Sequence, residues 1–125
     1  MSATTVGATT FMAREIAEIP AAADAVLAAG EAARIGAALG DRDFPFVVVC
    51  GRGSSGHAGV HLRYLIETRL GLPVSAAAPS VVTGYARPPR VAGALFVVVS
   101  QSGRSPDLVA ATQAARAGGA LTLAL

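Results

Sequence analysis

Apolar and polar positions change period several times along this chain, and each change marks an element. From Thr10 onward the pattern is helical: Phe11, Met12, Ile16 and Ile19 fall near one face, and Pro20 is expected to interrupt them. A second, alanine-rich helix is predicted over 21–39, with Val26, Leu27, Ile35 and Leu39 as its apolar stripe and Gly40 as its stop. Residues 44–50 then form a β-branched and aromatic run without alternation, which suits a central parallel strand covered on both faces. After a glycine-serine turn at 51–56, residues 57–70 carry Val60, Leu62, Tyr64, Leu65, Ile66 and Leu70 along a helix ending at Gly71. A weaker strand is predicted over 73–78, a turn or short helix over 79–85, and a proline-rich connection over 86–93. A third strand over 94–99 leads into a helix over 106–117, stopped by Gly118 and Gly119. A fourth strand begins at Ala120.

Strands alternating with helices imply an α/β three-layer sandwich with a parallel flavodoxin-like sheet. A last strand with no following helix would leave a bare apolar edge, so the expected fold is truncated after the fourth strand. Residues 1–9 read as a disordered N-terminal tail and 10–125 as one domain, incomplete at its C-terminus.

Composition narrows the function. The chain is 53% hydrophobic and 14% charged, and its net charge of +2 is small. All ten basic residues are arginines. With no basic run and no interleaved aromatics, there is no nucleic-acid stripe, and with no lysine there is no side-chain Schiff base. The single Cys50 rules out an internal disulfide and is expected to be a buried, inert thiol. No stretch approaches the roughly 18 uninterrupted apolar residues of a membrane span. A cytoplasmic protein with no membrane partner is the expectation.

The candidate chemistry lies where two strands end. The third strand runs into Ser100, Gln101, Ser102, Gly103, Arg104 and Ser105, where Ser100, Gln101, Ser102 and Ser105 supply side-chain donors suited to an oxyanion. Gly103 lets the backbone turn close to a ligand. Ser105 sits where an N-cap belongs, with Pro106 at the first helical position and Asp107 in the first turn, so the positive end of a helix should face the loop. The first strand ends in Gly51, Arg52, Gly53, Ser54 and Ser55. With strand order 2-1-3-4, the first and third strands are neighbours whose connections leave in opposite directions, and the crevice between them is the favoured ligand site. Neither the three-glycine dinucleotide pattern nor a Walker lysine is present. His57 and His61 have the spacing of a metal pair, but Glu67 would face elsewhere on the helix, so no metal site is expected. An ion pair with Arg63 is the ordinary fate of Glu67.

These residues resemble an SIS domain, the sugar isomerase module, in its amino-sugar phosphate branch, which includes the isomerase half of glucosamine-6-phosphate synthase and the related deaminases. The likeness rests on Phe11-Met12 with Glu15-Ile16 and Pro20, on Gly53-Ser54-Ser55, on the Tyr64 to Glu67 helix, on Pro79-Ser80, and on Ser100-Gln101-Ser102-Gly103 with Ser105. It implies that Ser100, Gln101, Ser102 and Ser105 hold a sugar phosphate, with Gly53, Ser54 and Ser55 contributing to substrate binding and no cofactor required. It also implies a partner: a homo-oligomer, a dimer above all, or completion by a second SIS domain. The glutamine-hydrolysing domain of the synthases has no counterpart in these residues, and neither do the glutamate and histidine that the second SIS domain contributes. The expected parent activity is therefore deamination or isomerisation of an amino-sugar phosphate, with catalytic residues unknown and this stretch alone inactive. The alternative is a non-catalytic sugar-phosphate sensor.

Overall fold

A computed structural model describes residues 10–125, so the tail expected over 1–9 lies outside the described residues. The chain divides into two compact units, Met1–Arg42 and Asp43–Leu125.

The described part of the first unit is helical. Helix α1 spans Phe11–Ala28, opened by Thr10, whose hydroxyl accepts a hydrogen bond from the Ala13 N–H at 3.2 Å. Helix α2 spans Glu31–Leu39. The expected break at Pro20 is not found, because the proline lies inside α1. A proline removes one N–H and strains one turn, and here the helix continues through it. The break falls instead at Gly30, whose φ of +68° is a left-handed conformation that glycine adopts without steric cost.

The second unit is a parallel sheet of four strands with helices on both faces. In chain order it contains β1 (Val47–Cys50), α3 (Ser54–Leu70), β2 (Val74–Ala76), α4 (Pro79–Thr83), β3 (Leu95–Val98), α5 (Pro106–Ala117) and β4 (Leu121–Ala124). The strands lie in the order β2-β1-β3-β4, as the sequence predicts. Val47 sits opposite Val74 on one side and Leu95 on the other, and Leu95 opposite Leu121.

Strand residues alternate between faces. On the α5 side, Val48, Cys50, Phe96 and Val98 meet Leu108, Ala111 and Ala115, which recur at helical spacing along α5. Phe96 is 1% exposed and is the largest side chain fully buried in the sheet. On the other face, α3 buries a single residue, Gly59. A Cβ there would stand 2.9 Å from Val49 Cγ1, so the missing side chain is what lets α3 approach β1. Glu67 takes the Arg63 guanidinium at 2.9 Å, as expected, and also accepts from the Val74 N–H at 3.4 Å, tying α3 to β2.

Candidate functional site

The two serine-bearing loops leave the sheet side by side. Cys50 is opposite Val98, and the Val99 N–H donates to the Cys50 carbonyl at 2.8 Å, so the β1–β3 ladder persists to the point where both loops begin. From β1 the chain crosses through α3 to β2, and from β3 it crosses through α5 to β4 on the opposite flank. Right-handed crossovers running in opposite directions place their helices on opposite faces, which opens a crevice above the carboxyl ends of β1 and β3.

The loops are built by different means. The first is shaped by glycine: Gly53 has a φ of +56° and stands immediately before α3, while a Cβ on Gly51 would lie 2.9 Å from the Ser55 carbonyl oxygen. Ser54 and Ser55, expected in a turn ahead of the helix, form its first turn. The glycine takes the N-cap position, so neither serine is spent as a cap.

The second loop is braced by its own hydroxyls. Ser100 Oγ accepts from the Gly103 N–H at 3.1 Å and Ser102 Oγ from the Arg104 N–H at 3.2 Å, with Gly103 at a φ of +62°. A serine oxygen that accepts from its own loop keeps its O–H free to donate outward. Ser105 occupies the expected N-cap position of α5, but its side chain makes no capping hydrogen bond. Asp107 serves that helix end instead, its Oδ1 accepting from the Leu108 N–H at 3.0 Å.

The loops are joined by an ion pair that sequence reasoning missed. The Arg52 guanidinium donates to Asp107 Oδ2, linking the loop after β1 to the first turn of α5. Arg52 is 69% exposed yet paired, and Asp107 is only 20% exposed. The Arg52 hydrogen bond, reinforced by its charge, holds the Asp107 carboxyl below the usual carboxylate range. The signal was available: opposite charges stood in two loops that the predicted strand order makes neighbours.

Beside the pair is an open cavity of about 510 Å³, lined by Arg52, Pro79, Ser80, Thr83, Pro106 and Asp107. Ser100 and Gly103 line a different hollow of about 230 Å³ on the β4 flank, with Leu108, Thr112 and Gln113. The structure thus brings the two loops together, but none of the serines predicted for the site lines the cavity beside the pair, and of them only Ser100 lines the second hollow. Gln101 and Ser102 are exposed, and Ser100, Ser105 and Ser55 are half-buried.

Cys50 lies beneath this region and is fully buried. Burial, with the Asp107 carboxylate as a second cause, pushes its thiol up to about 11, so it stays protonated at neutral pH and is not a nucleophile there. His57 and His61 are exposed. Among the described residues no three metal-ligating side chains cluster, and no helix is long and apolar enough to cross a membrane.

A parallel sheet of this order with paired loops at the β1/β3 switch point has the architecture expected of an SIS-type domain, and the chain matches proteins that carry such domains over part of their length. Its relatives include the isomerizing glutamine–fructose-6-phosphate aminotransferases of Symbiobacterium thermophilum, 43% identical over 63% of this chain, and Zymomonas mobilis, 39% identical over 66%. The chain spans only 12% and 14% of the length of those two relatives. Among solved structures it is similar to a Silicibacter pomeroyi protein classed as a phosphosugar isomerase, with 47% identity and a TM-score of 0.82, covering 89% of this chain and 35% of that one. It is also similar to a Salmonella typhimurium protein classed as sugar-binding, with 30% identity and a TM-score of 0.57, covering 74% of this chain and 28% of the other. No protein-family model matches the chain.

Proposed function

We propose that this domain binds a sugar phosphate in the crevice between β1 and β3 and serves an amino-sugar phosphate deaminase or isomerase. The observation that carries the reading is the continuous β1–β3 ladder, which delivers two hydroxyl-rich loops to the same edge of the sheet. Ser100, Gln101, Ser102 and Ser105 anchor the phosphate, and Gly53, Ser54 and Ser55 approach the sugar. Serine hydroxyls with their oxygens already engaged by loop amides are preset as donors, which suits an acceptor-only dianion. Binding energy from the non-reacting phosphate positions the far end of the sugar for chemistry supplied outside these residues. The similarity to proteins named as phosphosugar isomerase and as aminotransferase supports the substrate class.

The working form is a dimer, or this domain beside a second SIS domain. Sedimentation should show self-association at micromolar concentration, and a stable monomer there would count against the dimer.

Calorimetric titration with glucosamine 6-phosphate tests the site. The Ser102→Ala variant should bind about 10- to 100-fold more weakly, the worth of one charge-assisted hydrogen bond. Equal affinity in the variant would remove the serine loop from the site. A second reading, a non-catalytic sugar-phosphate sensor, is favoured by the likeness to the sugar-binding protein. Ammonia release from glucosamine 6-phosphate by the protein with its partner domain separates the two, since a sensor binds and releases none.

A further inference from the structure

Arg52 and Asp107 sit on opposite sides of the crevice, and their pairing is chemically a rehearsal of anion binding. A guanidinium has five N–H donors, and Asp107 takes one of them. The same carboxylate accepts from the Leu108 N–H in the first turn of α5. It therefore engages the two features that an incoming oxyanion would seek there: a cation and an amide at a helix N-terminus. The pair borders the cavity of about 510 Å³ that Ser80 and Thr83 line from α4. Arg52 remains 69% exposed, so it can turn toward that space without unpacking anything.

We infer that Asp107 is an internal counter-ion that parks Arg52 at the mouth of the crevice, and that Arg52 exchanges Asp107 for the phosphate of the ligand on binding. This rests on the sugar-phosphate reading of the same crevice and adds to it a binding residue, Arg52, and a positioning residue, Asp107. Phosphate and carboxylate compete for one guanidinium. Asp107 lowers the affinity for anions, and it raises selectivity, because a weak monoanion does not displace it and a phosphate dianion does.

Competition makes a prediction opposite to that of a plain structural staple. A staple that fixes the loops would make Asp107→Asn bind ligand more weakly; a competitor makes it bind more tightly. Titrations of the full chain with glucosamine 6-phosphate should show Asp107→Asn binding about two- to fivefold tighter than wild type, the worth of a partly exposed pair. Arg52→Gln should bind about tenfold more weakly, with Arg52→Lys recovering part of the loss. In the Arg52→Gln background the Asp107→Asn gain should disappear. Tightening of equal size without Arg52 would reduce Asp107 to simple repulsion, and weaker binding by Asp107→Asn would make the pair a staple; either result overturns the exchange.

Should a variant fail to fold, the wild-type side chain reports directly. The Arg52 Nε resonance should shift on saturation with glucosamine 6-phosphate and stay put with glucosamine; an unmoved resonance at saturation overturns the proposal. A wild-type protein that binds no hexose phosphate sinks this and the function reading together. Wild-type binding that depends on Ser102 but not on Arg52 sinks the exchange alone.

Discussion

The two loops at the head of the crevice solve one problem in opposite ways. The loop after β1 is shaped by side chains it lacks: Gly51 lies where any Cβ meets the Ser55 backbone, and Gly53 holds a left-handed φ ahead of α3. The loop after β3 is shaped by side chains it has, with Ser100 and Ser102 each accepting a backbone N–H from a residue two or three positions on. The first loop should therefore fail by steric clash and the second by loss of a brace. In the proposed site the difference also separates duties, since a glycine turn brings backbone close to a ligand while a hydroxyl turn brings donors.

The severest way to break the comparison is to remove what both loops stand on. Phe96, on β3 and opposite Val48 of β1, fills the core beneath α5, under both strands that feed the crevice. Phe96→Ala should cost about 3–5 kcal/mol in urea denaturation and disorder both loops alike. A loss under about 1 kcal/mol would mean the site does not stand on this core. Next comes Gly51→Ala, which drives a methyl into the Ser55 carbonyl and should cost about 1–3 kcal/mol. Ser100→Ala deletes one brace and should cost less, about 0.5–1.5 kcal/mol. If the serine change costs more than the glycine change, the contrast between the loops is wrong.

The smallest effect is acid sensitivity at the clasp between the loops. The folded Asp107 carboxyl lies below its usual value because of Arg52, so its stabilising contribution is present above the unfolded value of about 3.9 and is lost as pH falls through the lowered folded one. Thermal melts should therefore decline below about pH 4 less steeply in Asp107→Asn than in wild type. Identical acid profiles would show that the pair contributes nothing measurable to folding.

Much of this was legible in the residues. The strand order, the bounds of α5 between Pro106 and Gly118, and the Arg63–Glu67 pair follow from periodicity, turn chemistry and i,i+4 spacing, all of which are local or topological signals. What was misread depended on a balance of local costs. Pro20 carries the stronger breaker reputation, yet α1 runs through it and the chain breaks at Gly30, where a left-handed φ is needed. Ser54 and Ser55 look like turn residues and so predict a start for α3 three residues too late, although Gly53 already ends the turn. The Arg52–Asp107 pair joins residues 55 apart, so no local pattern encodes it and only the strand order brings the two charges together.

The central claim is that the loops together receive a phosphate carried on a sugar. The most direct test is an amide NMR titration of the chain with glucosamine 6-phosphate and, separately, with glucosamine. The account predicts shifts concentrated at Ser55, Ser102, Gly103 and Arg104 with the phosphorylated sugar and none at matched concentration with glucosamine. Equal responses to both sugars, or shifts confined to residues away from the two loops, would contradict it.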